Sequence, residues 1–133
     1  MAGPIPASLR PSPRDWPVYQ VYGSLSASRG IAGVTVDHRL HDTGDYRRAA
    51  GDVAAAVQAV RADPRIDAGR IALWFFSGGG LLLAEWLRRP PDWLRCAAAT
   101  YPLLAPLPGW CAGYVCTSAA DIVTPGALNG QGT

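Results

Sequence analysis

The chain has 133 residues, 49% of them apolar and 17% charged, which suits one folded domain and excludes a disordered one. Its formal charge of +2 arises without a basic block, so nothing points to nucleic acid or to an anionic membrane surface. All 12 basic residues are arginine, which excludes lysine Schiff-base chemistry and a Walker-type phosphate loop.

Residues 1–16 are rich in proline and are expected to form an extended lead-in. Met1-Ala-Gly-Pro-Ile-Pro-Ala7 has no basic region followed by a long apolar one, so it is not a signal peptide. Trp16 to Ser28 is predicted to be helical, with Tyr19, Tyr22 and Leu25 on one face and Gly30 ending it. Ile31 to Val36, a short β-branched run, is predicted to be a strand. Asp37 to Gly44 is a polar loop that holds both histidines, His38 and His41.

Asp45 to Ala62 carries the strongest helical pattern, with Tyr46, Ala49, Val53, Val57 and Val60 spaced by three and four. Thr43 or Asp45 is expected to cap it, and Pro64 lies just beyond its end. Arg70 to Phe76 is predicted as a second strand, apolar on both faces as a parallel strand under helices should be. Gly79 to Arg89 is expected to be a short apolar helix stopped by Pro90-Pro91, and Arg95 to Thr100 a third strand.

After Pro102 the pattern dissolves, so the expected division is a domain over 1–108 and an irregular tail over 109–133. Residues 96–120 carry no charge, yet Pro102, Pro106, Pro108, Gly109 and Gly113 would break a spanning helix, and no membrane segment is expected. Cys96, Cys111 and Cys116 form an odd set without a Cys-x-x-Cys pair. They imply a reducing cytoplasm, with Cys96 in the core. Strand–helix alternation of this kind predicts an α/β fold, a mostly parallel sheet with covering helices.

One stretch carries the chemistry. In Ile71-Ala-Leu-Trp-Phe-Phe-Ser-Gly-Gly-Gly80, a strand gives way to a helix with almost no loop, and Ser77 sits at the bend. Three glycines follow it, and glycine tolerates the close approach that such a turn imposes. The hydroxyl of Ser77 would stand at the end of the sheet, where a nucleophile elbow places its serine. Taken alone, the Ser77-Gly-Gly-Gly80 run favours the plainer reading, a serine that merely starts a helix.

Other pieces stand in register with it. Val34-Thr-Val-Asp-His-Arg-Leu40, Ala50-Gly-Asp-Val-Ala-Ala-Ala-Val57, Ile66-Asp-Ala-Gly-Arg-Ile-Ala-Leu73, Phe76-Ser-Gly-Gly79 and Tyr101-Pro102 follow one another in order. Together, over about residues 15–108, the chain resembles the α/β-hydrolase superfamily, particularly its dienelactone-hydrolase-like and carboxylesterase branches. The resemblance implies a partial three-layer α/β-hydrolase-type fold with Ser77 as nucleophile and the N–H of Gly78 as an oxyanion donor.

The chain departs from the family pattern at four places. Phe75 stands where the pattern has glycine, two residues before the serine. No histidine follows Ser77, so the base of the triad is not found. Asp121, in Ala120-Asp-Ile-Val-Thr-Pro125, faintly resembles the acid turn. The chain opens at Met1-Ala-Gly-Pro4, where the family has a His-Gly-Gly loop preceded by a strand, so a truncated member is expected. In the family that strand lies between those ending here at Val36 and Phe76. Its absence would leave a vacant slot between them and make the chain marginally stable, oligomeric or prone to aggregate.

The resemblance thus implies a cytoplasmic serine hydrolase acting on small carboxylic esters or lactones, impaired in this chain. The alternative is a non-catalytic truncated remnant, acting as an interaction module or an unstable fragment that self-associates through an unpaired sheet edge. No cofactor is expected. His38 and His41, flanked by Asp37 and Asp42, have no third or fourth metal ligand beside them, and a structural role is expected instead. One imidazole should bond to backbone and the other be solvated. Gly78-Gly-Gly80 lacks the dinucleotide-binding glycine spacing.

Overall fold

A computed structural model describes residues 3–105, which form a mixed α/β fold of three helices and a two-stranded parallel sheet. The elements run α1 (Pro17–Ala27), α2 (Tyr46–Ala62), β1 (Ile71–Phe76), α3 (Leu83–Arg88) and β2 (Leu94–Thr100). A 3₁₀ turn spans Ser77–Leu82, between β1 and α3. The tail over 109–133, with Cys111, Cys116 and Asp121, lies outside the described residues.

Helix α1 starts on Pro17, whose fixed φ suits a first helical position. It closes as a Schellman end: the N–H groups of Gly30 and Ile31 donate to the carbonyls of Ala27 and Ser26, and Gly30 takes φ 73. Helix α2 buries the face its spacing predicts, with Tyr46, Ala49, Val53 and Val57 all buried. Its cap differs from expectation. Asp45 holds the N-cap position but makes no side-chain cap bond. Its carboxylate accepts from the N–H groups of His41 and Asp42 and pairs with Arg48, fixing the preceding loop instead.

The sheet has two faces with different partners. Ile71, Leu73 and Phe75 of β1 join the α2 face and Leu81 to Leu83 in one apolar core. On the opposite face, Phe76 and Trp74 meet Tyr19 and Tyr22 of α1, with ring centroids 4.8–5.5 Å apart. The Trp74 indole N–H also donates to Thr100 Oγ1, tying β1 to β2 across the sheet.

Four expectations fail. Residues 31–36 form no strand, because a strand exists only by pairing and residues 32–36 make no backbone–backbone hydrogen bond among the described residues. Strand β1 is not fully covered on both faces: Ala72 and Trp74 are exposed. Cys96 is exposed rather than core, since β2 lies at the outer edge of the described sheet. The helix expected from Gly79 begins instead as the 3₁₀ turn, the tighter winding that three glycines permit.

An open cleft separates residues 31–36 from β1. It has two chambers, of about 230 Å³ beneath Tyr19 and Tyr22 of α1 and about 520 Å³ against Val53, Val57 and Val60 of α2. Both chambers are lined by the extended segment on one side and by β1 on the other.

Candidate functional site

Seven residues run from the core to the surface and back again. Phe75 and Phe76 are buried, Ser77 is exposed, and Gly78 to Leu81 are buried once more. At Ser77 the backbone takes φ 49, the left-handed region that residues with a Cβ seldom enter. That one reversal lifts the side chain out of the core at the carboxyl end of β1.

The turn is held on both sides. The carbonyl of Ser77 accepts the N–H of Leu103 at 2.8 Å, and the carbonyl of Gly78 accepts the hydroxyl of Tyr46 at 2.8 Å. Burial pushes the Tyr46 hydroxyl above its ordinary range, so it stays a donor. Glycine is required at two of the three positions. A Cβ on Gly78 would stand 1.7 Å from the carbonyl oxygen of Gly3, and one on Gly80 would stand 2.6 Å from that of Leu103.

Phe75, where the family pattern has glycine, does not crowd the serine. Its ring points into the α2-side core and is fully buried. The N–H of Gly78 belongs to the first turn of a helix, where such groups have no partner inside it. Gly3 brings a second backbone segment directly against Gly78. An exposed hydroxyl, a first-turn N–H beside it and a neighbouring loop can together receive a carbonyl group: attack from one side, oxygen stabilisation from the other.

The histidines do not complete this arrangement. Nδ1 of His41 lies 3.0 Å from the carbonyl of Ile5, the backbone bond expected for one imidazole. His38 is half-buried rather than solvated. Burial lowers its affinity for a proton, while Asp52 and Asp37 partly restore it. Among the described residues, the Ser77 hydroxyl hydrogen-bonds to neither imidazole and to no carboxylate. Nor do three His, Cys, Asp or Glu side chains gather there as metal ligands.

Two contributors escape sequence reasoning. Gly3 carries no signal beyond being a glycine in a proline-rich lead-in. Tyr46 does carry one: a hydroxyl on a helical face otherwise made of alanine and valine needs a buried acceptor. Comparisons with family models, curated proteins and solved structures return no match.

Proposed function

We propose that the Ser77 turn is the nucleophile-bearing part of a serine hydrolase site of the α/β-hydrolase type, directed at small carboxylic esters or lactones. The observation that carries this is the lone exposed, left-handed serine between buried neighbours at a strand-to-helix turn. Packing of β1 against α2 on one face and α1 on the other supports the three-layer arrangement that such a site requires.

In this mechanism Ser77 Oγ bonds to the carbonyl carbon and the N–H of Gly78 steadies the oxyanion. Collapse of the intermediate expels the alcohol and leaves an acyl-serine, which water then hydrolyses. The hydroxyl proton needs an acceptor, and the described residues set none against Ser77. With solvent as that acceptor, acylation is slow. Without a triad, an oxyanion site and binding alone give roughly 10³–10⁴-fold over water.

The test is acylation by p-nitrophenyl acetate, with the adduct located by mass spectrometry. A slow adduct on Ser77, absent in Ser77→Ala, is expected, as is weak labelling by a fluorophosphonate. An adduct on another residue, or an unchanged rate in Ser77→Ala, overturns the assignment. Strong fluorophosphonate labelling lost in Ser77→Ala would show that a base does reach the site.

A second reading, an interaction module, is favoured by the exposed edge of β2. Its small, uncharged run Cys96-Ala-Ala-Ala-Thr100 suits pairing with a second copy of the chain.

A further inference from the structure

The two strands of the sheet end alike. Their register pairs Phe76 of β1 with Thr100 of β2, so Ser77 and Tyr101 follow next to each other at the carboxyl ends. Both are left-handed, Ser77 at φ 49 and Tyr101 at φ 39, and no other non-glycine residue among those described has a positive φ. The two turns are also joined, since the N–H of Leu103, just past Tyr101, donates to the Ser77 carbonyl.

For a tyrosine this backbone is the larger anomaly, because a bulky side chain rarely accepts the left-handed region. Burial of the ring does not offset it: Tyr101 is 66% exposed, more than any other large hydrophobic side chain among the described residues. Strain kept without burial points to a use at the surface. The ring is also placed. It leans on Phe76, centroids 6.1 Å apart, and Phe76 in turn meets Tyr19 at 5.3 Å and Tyr22 at 5.5 Å. Burial raises the Tyr19 hydroxyl above its ordinary range and Tyr101 nearby raises it further, so these two phenols are neighbours. The α1 face of the sheet thus carries an aromatic layer, and Tyr101 is its outer end, beside Ser77. Ligands of open α/β sheets bind at the carboxyl ends of the strands, where this layer finishes.

We propose that Tyr101 sets the substrate preference of the Ser77 site by stacking on an aromatic ring in the acyl group of the ester. This rests on the hydrolase reading and narrows it, from small carboxylic esters at large to those with an aromatic acyl group. An exposed ring presents a π-face that a flat aromatic group matches and a puckered saturated ring does not. The acyl group is the part to hold, because it stays on Ser77 Oγ after the alcohol leaves and until water removes it.

The experiment compares p-nitrophenyl phenylacetate with p-nitrophenyl cyclohexylacetate on the full chain. With each, Ser77 Oγ takes the acyl group, p-nitrophenolate leaves and the hydroxyl proton passes to solvent. Adducts on Ser77 are followed by mass spectrometry, and each rate is divided by that of hydrolysis in buffer. The phenyl ester is expected to acylate about fivefold faster, as one aromatic pair allows. Tyr101→Phe should keep that ratio. Tyr101→Asn, which suits left-handed backbone better than tyrosine, should bring it to about one without loss of stability in urea. A tyrosine that served only to hold the turn would leave the ratio unmoved in both variants. Ring contact is read apart from the chemistry, by saturation-transfer NMR of methyl phenylacetate, an ester too unreactive to acylate the chain. Contact through its ring protons is expected and should vanish in Tyr101→Asn. Equal rates for the two esters, a ratio that survives Tyr101→Asn, or no ring contact overturns the proposal. Ring contact without any adduct on Ser77 overturns the hydrolase reading instead, and with it the claim that the ring belongs to a substrate.

Discussion

Ser77 and Gly78 show how much of a turn's geometry is decided by what surrounds it. A left-handed serine costs on the order of 1–3 kcal/mol and persists only when neighbours hold it. Here the Tyr46 hydroxyl and the Leu103 amide do so. Gly78→Ala should destabilise the chain by about 1–3 kcal/mol, because a methyl group would meet the Gly3 carbonyl. Urea unfolding checks this. A neutral result would mean that residues 3–5 do not pack on the turn.

His38 gives a pH dependence whose sign follows from its burial. Its pKa in the folded chain lies below the ordinary 6.5, so the unfolded chain takes up a proton first as pH falls. Stability from this group is therefore complete above 6.5 and is lost as pH drops towards the folded value. His38→Asn should flatten the slope of unfolding free energy against pH in the range just below the ordinary imidazole value. An unchanged slope would place the titration elsewhere.

Among the elements, the helices are legible in the sequence and the sheet only partly so. The three-and-four spacing of α2 depends on residues within one helix, and the buried face agrees with it at Tyr46, Ala49, Val53 and Val57, while Val60 at its end is half-buried. Val53, 2% exposed at the centre of that face, should cost about 2 kcal/mol when changed to alanine, measured by urea unfolding. Ala54, its exposed neighbour on the outer face, should tolerate glutamine with little change in the same measurement. Segment 31–36 has the composition of a strand and stays unpaired, since composition says nothing about whether a neighbour is present. The same limit applies to Cys96: an apolar run does not disclose which of its faces another element covers. Ser77 was legible for a different reason, because the strand, the serine and the glycines that make its turn are contiguous in the chain.

For the molecule as a whole, the cleft changes the energetic question. Unpaired backbone groups cost most when they are dry, about 1–3 kcal/mol each, and the rim residues 31–35 are instead exposed to solvent. The expense moves to apolar surface: Ile31, Val34 and Trp74 remain accessible where a filled sheet would bury them. A melting temperature below about 60 °C is expected, with association that grows with concentration. A monodisperse monomer melting sharply above that temperature would contradict both. The described fold has no helix long and apolar enough to cross a membrane.

The hydrogen bond from the Leu103 amide to the Ser77 carbonyl turns one position into a gauge of the serine-bearing turn. Leu103 lies in a segment without regular structure, where amides ordinarily trade their protons with solvent quickly. This one is released only when the turn lets go of it. Its deuterium uptake, followed beside that of its neighbours Leu104 and Ala105, should be the slowest of the three. It should quicken in Tyr46→Phe, which removes the brace on Gly78 without emptying the core. A single exchange rate would then report how long the Ser77 turn stays closed.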